Sequence, residues 1–150
     1  MRDDDPDVLG MLLSAQAALR SRFDDFRRAL DRRDEAAYRL ALSDFHENLR
    51  RWTTSEQRAL LPALLRTELV GRDPRREVSL EHVQLRELTR QIQLQIEARG
   101  RLADILGYVE NLSRRLAAHE SEMQNVYYPA AAPLLTPEER SILRAAAPSP

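Results

Sequence analysis

The 150-residue chain contains no cysteine and no lysine, and only four glycines. The absence of cysteine excludes disulfide frameworks, zinc knuckles, thiolate-bound iron-sulfur clusters and cysteine nucleophiles. The 23 basic side chains, all arginine, are offset by 24 acidic ones, so the net charge is −1. This balance lacks the excess positive charge that is typical of nucleic-acid binders. We therefore expect no nucleic-acid partner.

Long apolar runs are also absent from the sequence. No stretch has the roughly 20 consecutive apolar residues that a membrane-spanning helix needs. The first six residues are mainly acidic, whereas a secretory signal begins with a positive segment followed by an apolar one. These features predict a soluble, cytoplasmic protein without a membrane partner.

What the sequence does contain favours helix. Alanine, leucine, arginine and glutamate are abundant and β-branched residues are few, which predicts an all-α fold. Turn and start signals divide the chain into four long helices. These signals lie at Asp5-Pro6, Arg32-Arg33-Asp34, Gly71-Arg72-Asp73-Pro74 and Arg99-Gly100-Arg101.

A short fifth helix is predicted after the four long ones. Thr136-Pro137-Glu138-Glu139 has the form of a capping box, with proline at the first helical position, and opens a helix over residues 137–146. The Ala-Pro-Ser-Pro tail that follows is expected to fray. We predict one domain over residues 1–150, an up-down-up-down four-helix bundle with its core in residues 6–130.

Each long helix has an apolar stripe that contains a polar residue. Apolar residues recur at alternating spacings of three and four, which is the pattern of a helix buried along one face. The stripes are interrupted by Gln16, Glu56, His82 and His119, one in each helix. Burying such groups costs several kcal/mol unless they are hydrogen-bonded, paired or bound to metal.

Counting residues from the turns predicts that these polar positions meet. Short turns make consecutive helices antiparallel, so residues equally far from a turn lie at the same height. From Arg33 and Gly100 the distances are 17 to 19 residues for Gln16, Trp52, His82 and His119. Glu56 and Met123 lie one turn further along. The offset of 67 residues from Trp52 to His119, Glu56 to Met123 and Pro62 to Pro129 also indicates two repeated helical hairpins.

Two imidazoles and one carboxylate inside a bundle suggest a metal site. Such donors bind iron, manganese or zinc, and bundle proteins commonly hold metals in the core. The candidate ligands are His82, His119 and Glu56. The alternative from the same residues is a metal-free polar layer in which these side chains and Gln16 hydrogen-bond to one another.

At these positions the sequence resembles the hemerythrin-like, or HHE cation-binding, family over roughly residues 8–130. In that family the second helix of each hairpin carries His-x-x-x-Glu and, ten residues after the His, a Pro that follows two apolar residues. The second hairpin here has His119-Glu120-Ser121-Glu122-Met123 and later Tyr127-Tyr128-Pro129; the first has Trp52-Thr53-Thr54-Ser55-Glu56 and later Leu60-Leu61-Pro62. Glu81-His82 is similar to the opening of the family's single-His helix, and Gln16 stands where the other such His is found.

The resemblance implies a reduced form of the family's two-metal site. His82, His119 and the bridging carboxylate Glu56 are kept, while Gln16, Trp52 and Met123 replace two histidines and the other bridging Glu. The resemblance implies that the two missing histidines are ligands of the same metal. What remains is two histidines and one carboxylate for a single ion, the ligand class of mononuclear non-heme iron.

Two interpretations therefore stay open, with a third beside them. The first is a hemerythrin-like bundle that holds at most one non-heme iron or other divalent metal and serves in metal- or oxygen-linked sensing or as a binding module. The second is a metal-free bundle that acts as a scaffold for oligomerisation or for binding a protein partner. A mononuclear iron enzyme is the third, but the sequence implies no catalytic cycle and identifies no catalytic residue.

Overall fold

The computed structural model describes residues 7–150, in which all regular structure is helical. The helices, in chain order, are α1 (Val8–Asp31), α2 (Glu35–Ser55), α3 (Leu61–Leu65), α4 (Pro74–Glu97), α5 (Leu102–Glu122), α6 (Tyr128–Ala131) and α7 (Pro137–Ala146). Two π-helical turns, Glu56–Leu60 and Met123–Tyr127, join α2 to α3 and α5 to α6, and a 3-10 turn covers Ala132–Leu134.

The long helices pack as the predicted bundle. Helix α1 packs along α2, α4 packs along α5, and α2 also contacts α4. Their apolar stripes form one core, in which Phe23 and Phe45 lie with ring centroids 5.3 Å apart. None of the described helices combines the length and apolar character needed to cross a membrane.

The two tight turns that were expected from the sequence are present and share one geometry. Arg33 and Arg99 have φ values of 58° and 54°, in the left-handed region. The amide of the following residue, Asp34 or Gly100, donates to a carbonyl five residues earlier. This is a Schellman cap, which ends a helix within one residue and so places the next helix antiparallel to it. Residues that are equally far from these turns in sequence therefore lie at the same height along the bundle.

Helix α7 begins with the predicted capping box. The Thr136 side chain accepts from the Glu139 amide, and the Glu139 side chain accepts from the Thr136 amide. Leu143 is fully buried, and α7 packs on α2 and on the first π turn. The tail after α7, which was expected to fray, has contacts with α1: Arg22 donates to the Ser149 carbonyl at 2.7 Å. The helix start predicted at Asp5-Pro6 lies outside the described residues.

Candidate metal centre

The two π turns begin at equivalent positions, Glu56 and Met123, which lie 67 residues apart as the repeat predicts. Each turn is followed by a proline, Pro62 or Pro129, whose ring would clash with the carbonyl four residues earlier in a regular α-helix. The wider turn relieves this clash, and the Leu61 amide bonds instead to the Glu56 carbonyl five residues back. Glu56 therefore stands at the first position of a π turn rather than within a regular α-helix.

The three candidate ligands meet in the core. Glu56, His82 and His119 are 1%, 0% and 7% exposed. One ligand atom from each lies within 4.8 Å of the other two. Oε1 of Glu56 is 3.3 Å from Nε2 of His82, and the rings of His82 and His119 pack edge to face with centroids 5.3 Å apart. The structure thus brings together the residues that were chosen from the sequence.

The two atoms on either side of the 3.3 Å gap form a buried pair. Within residues 7–150, neither Oε1 of Glu56 nor Nε2 of His82 is hydrogen-bonded to a third group. Two ligands that each lie about 2.0–2.2 Å from a shared ion are roughly 3.0–3.5 Å apart, so the observed gap fits one metal ion.

The remaining polar atoms of the centre are held by neighbours. Tyr128 donates its hydroxyl to Oε2 of Glu56 at 3.1 Å. Nδ1 of His82 lies 2.9 Å from the amide nitrogen of Gln57, and Nδ1 of His119 lies 2.5 Å from Oε2 of Glu81. Metal-binding histidines in proteins are oriented by such contacts on the nitrogen that does not bind the metal.

The electrostatics of the centre favour positive charge. Burial by itself would lower the pKa of His119, but the hydrogen bond to Glu81 and the charges of Glu56, Glu81 and Glu120 raise that pKa overall. Burial also raises the pKa of Tyr128 well above its ordinary value, as does the nearby Glu56. Tyr128 is therefore a hydrogen-bond donor to Glu56 at neutral pH. A centre that stabilises an imidazolium also suits a divalent cation.

The other half of the bundle centre has no matching donor set. Gln16, Trp52 and Glu120 line a cavity of about 10 Å³ beside Glu56 and His119, which has room for about one water molecule. The Gln16 side chain is engaged: its amide donates to the Glu120 carbonyl at 3.3 Å, and its oxygen accepts from Gln124 at 2.6 Å. Met123, at the position equivalent to Glu56, is fully buried and fills the core.

Comparison with known families agrees with this geometry. The family model of the hemerythrin HHE cation binding domain matches residues 7–131, which include the four long helices and both π turns. The chain belongs to the hemerythrin HHE cation-binding family. No curated protein and no solved structure matches it. The family is one of cation-binding domains. In this chain, Glu56, His82 and His119 form a group that could hold a metal ion.

Several residues of the centre were not identified from the sequence. Gln57 and Glu81 are adjacent to the ligands Glu56 and His82 in sequence, yet each contacts the imidazole of a different helix. Tyr128 appears in the sequence only as part of the Tyr127-Tyr128-Pro129 motif, and the structure shows that both tyrosine rings are buried. The second π turn, which ends between them, changes the usual angle between neighbouring side chains. Pro129 is the sequence signal that could have indicated this.

Proposed function

We propose that this HHE-domain protein binds one divalent metal ion, with iron the first candidate, through Glu56, His82 and His119. The observation that carries the proposal is the buried donor group itself: one ligand atom from each of Glu56, His82 and His119 lies within 4.8 Å of the other two, and Oε1 of Glu56 and Nε2 of His82 are 3.3 Å apart, a spacing that suits a shared ion. When bound by two histidines and one carboxylate, Fe(II) keeps open positions for an exogenous ligand. We further propose that the bundle serves as a metal-linked sensing or binding module.

The proposal is limited to one ion because the second half of the centre offers no imidazole. Gln16 and Trp52 stand where the family's other two histidines are expected, and the cavity beside them is about 10 Å³. Gln16 is already held by two hydrogen bonds. A second ion would have to share Glu56 and find its other donors among groups that are already paired.

Metal analysis tests the proposal directly. The protein is purified without chelators, loaded anaerobically with Fe(II), freed of excess metal and assayed for iron per chain. We expect about one iron in the unsubstituted protein and near none in His82→Ala and His119→Ala. His46→Ala is the matched control, since His46 lies on α2 ten residues before Glu56 and outside the ligand group. Iron retained in both ligand variants, or absent from the unsubstituted protein, would overturn the assignment.

A metal-free scaffold is the second candidate, and one observation favours it. Tyr128, Gln57 and Glu81 already hold one atom each of Glu56, His82 and His119. A hydrogen-bonded polar layer of this kind could fix helix register without a cation. If iron, manganese and zinc all fail to bind, the scaffold is supported. Light scattering on the eluted protein would then show whether it forms a homo-oligomer.

The partner and the location of the protein stay predictions. A homo-oligomer or a protein partner, and a cytoplasmic site of action, are expected from the sequence. Cell fractionation and cross-linking with the full chain would test them.

A further inference from the structure

The contacts of His82 with Gln57 and Glu56 together favour one tautomer of the imidazole in metal-free protein. The Gln57 amide nitrogen lies 2.9 Å from Nδ1, and the Ser79 hydroxyl donates to the Gln57 amide oxygen at 3.2 Å. An amide nitrogen only donates, so Nδ1 accepts and a neutral His82 carries its proton on Nε2. Nε2 lies 3.3 Å from the carboxylate oxygen Oε1 of Glu56, which attracts a proton on that nitrogen. With a proton there, His82 has no lone pair to offer a metal.

His119 is held in the opposite way. Its Nδ1 lies 2.5 Å from Oε2 of Glu81. A carboxylate accepts, so Nδ1 of His119 carries a proton and Nε2 is the nitrogen left for a metal. The two candidate ligands therefore differ: Glu81 holds His119 in the tautomer that binds metal, whereas Gln57 holds His82 in the one that does not.

The side-chain amide of Gln57 can hydrogen-bond to either tautomer of His82. A half-turn about its last side-chain bond exchanges the amide nitrogen and oxygen while leaving their positions almost unchanged. The oxygen would then accept from an Nδ1 proton on His82, and the amide nitrogen would donate to Ser79. Because a hydroxyl both donates and accepts, Ser79 satisfies Gln57 in both orientations. Two hydrogen bonds are kept in each state.

We propose that Gln57 is a positioning residue for His82, and that its amide turns over when a metal binds and so switches His82 to the tautomer with a free Nε2. The proposal rests on the metal site proposed above. It implies that metal-free protein keeps both hydrogen bonds of the Gln57 amide. It also implies that Ser79 lowers the free-energy cost of rotating that amide, because its hydroxyl pairs with the amide in both orientations.

Substitutions at Gln57 separate these effects. Gln57→Glu places an obligate acceptor against Nδ1, which favours the metal-binding tautomer before any metal arrives. Gln57→Met keeps the length of the side chain and removes both donor and acceptor. Contacts of this kind typically alter metal affinity 10- to 100-fold. We expect zinc to bind about tenfold more tightly to Gln57→Glu at pH 8 and about tenfold more weakly to Gln57→Met.

Nitrogen NMR of ¹⁵N-histidine-labelled protein reads the tautomer itself. The chain has three histidines, so the ring nitrogens can be assigned with single His variants. At pH 8 we expect His82 to carry its proton on Nε2 in metal-free protein and on Nδ1 after addition of Zn²⁺. Metal-free Gln57→Glu is expected to carry it on Nδ1 already. Gln93→Glu, eleven residues and roughly 16 Å further along α4, is the control for added charge and should match the unsubstituted protein.

The outcomes distinguish this inference from the proposed function. If zinc and iron do not bind, the metal site fails, but the metal-free spectra of the unsubstituted protein and Gln57→Glu still decide whether Gln57 sets the tautomer. If metal binds and His82 already carries its proton on Nδ1 without metal, the switch is disproved while the site stands. Equal zinc affinity in Gln57→Glu, Gln57→Met and the unsubstituted protein would also overturn it.

Discussion

Oε1 of Glu56 and Nε2 of His82 lie 3.3 Å apart in the bundle core, and neither is hydrogen-bonded to a third group within residues 7–150. Folding alone gains little from this arrangement, because both groups are removed from water with only each other as a partner. Metal binding would convert the same arrangement into two coordinate bonds. If a metal binds there, the stability of the fold should depend on the occupancy of the site.

Replacing Glu56 should separate stability from metal binding. Glu56→Gln keeps an oxygen for the Tyr128 hydroxyl and removes a negative charge that is costly to bury in the core. We expect the free energy of unfolding of metal-free protein to rise by about 1–3 kcal/mol, measured by urea denaturation. Metal binding should be lost. A variant that is less stable and still binds metal would contradict the proposed role of Glu56.

Metal should stabilise the native protein, because the ligands are brought together only by folding. At a free metal concentration of 100 times Kd the gain is about 2.7 kcal/mol, or a rise in Tm of roughly 5–10 °C for a chain of this size. Thermal melts with Fe(II), Mn²⁺ and Zn²⁺, each reversed by a chelator, measure it. His82→Ala should show no rise, while His46→Ala should match the unsubstituted protein. An unchanged Tm with all three metals would speak for the scaffold.

The candidate ligand group was predictable because its members lie at heights that follow mainly from helix geometry. Apolar periodicity placed His82 and His119 on buried faces, and two abrupt turns at Arg33 and Arg99 made residue counts equivalent to heights. Glu56 was expected one helical turn beyond Trp52. Its side chain still reaches His82, since side chains on a helix tilt toward its N-terminus.

The neighbours of the ligands were not predictable because they depend on contacts between helices. Glu81 precedes His82 in sequence, yet its carboxylate crosses to His119 on α5. Gln57 follows Glu56 and would point elsewhere on a regular helix, but the π turn that begins at Glu56 changes the angle between the two side chains. A pattern that repeats every three or four residues carries no information on such pairs.

The ion pair that fastens α7 predicts a pH dependence of stability. Burial alone would raise the pKa of Glu139, but hydrogen bonds from Arg66 and the Thr136 amide outweigh it and lower the pKa below its ordinary value. A carboxyl with a lowered pKa in the folded state contributes stability that is present above its unfolded pKa, about 4.3. This contribution is lost as the pH falls through the lower, folded pKa.

Glu139→Gln tests that dependence. The difference in unfolding free energy between the unsubstituted protein and the variant should be constant above about pH 5 and should shrink below it. Urea denaturation from pH 3 to pH 8 measures the difference. Glu138→Gln is the control, because Glu138 directly precedes Glu139 in the first turn of α7 and takes no part in the capping box. A difference that grows toward acid pH would refute this account.

Arg99 should be replaceable by glycine with a gain in stability. Its φ of 54° is in the left-handed region, which a side chain with a Cβ occupies at a cost that glycine avoids. After allowing for the greater chain entropy of unfolded glycine, we expect Arg99→Gly to gain about 0.5–1 kcal/mol, a rise in Tm of roughly 1–4 °C. Arg101→Gly is the control: Arg101 has φ −63° and ψ 136°, so glycine should lower stability there. Equal effects at both positions would exclude the backbone explanation.

Restoring the missing donors should add a second metal. The resemblance to the hemerythrin-like family implies that Gln16, Trp52 and Met123 replace ligands of a second metal, and Gln16 and Trp52 line the cavity beside Glu56 and His119. The triple variant Gln16→His, Trp52→His, Met123→Glu would supply two imidazoles and a second carboxylate. We expect iron per chain to rise from about one to about two.

The same variant should depend on metal for its stability. Removing the Trp52 indole from the core costs about 3–5 kcal/mol in metal-free protein, so chelation should lower its Tm far more than that of the unsubstituted chain. Gln16→Asn, Trp52→Phe, Met123→Leu is the control, since it disturbs the same positions without adding ligands. If the triple variant folds in the presence of metal and still holds one iron, the presence of Gln16, Trp52 and Met123 is not what limits this domain to a single ion. The limit to one ion would then have to lie with Glu120, which lines the same cavity, or with Gln124, which donates to Gln16.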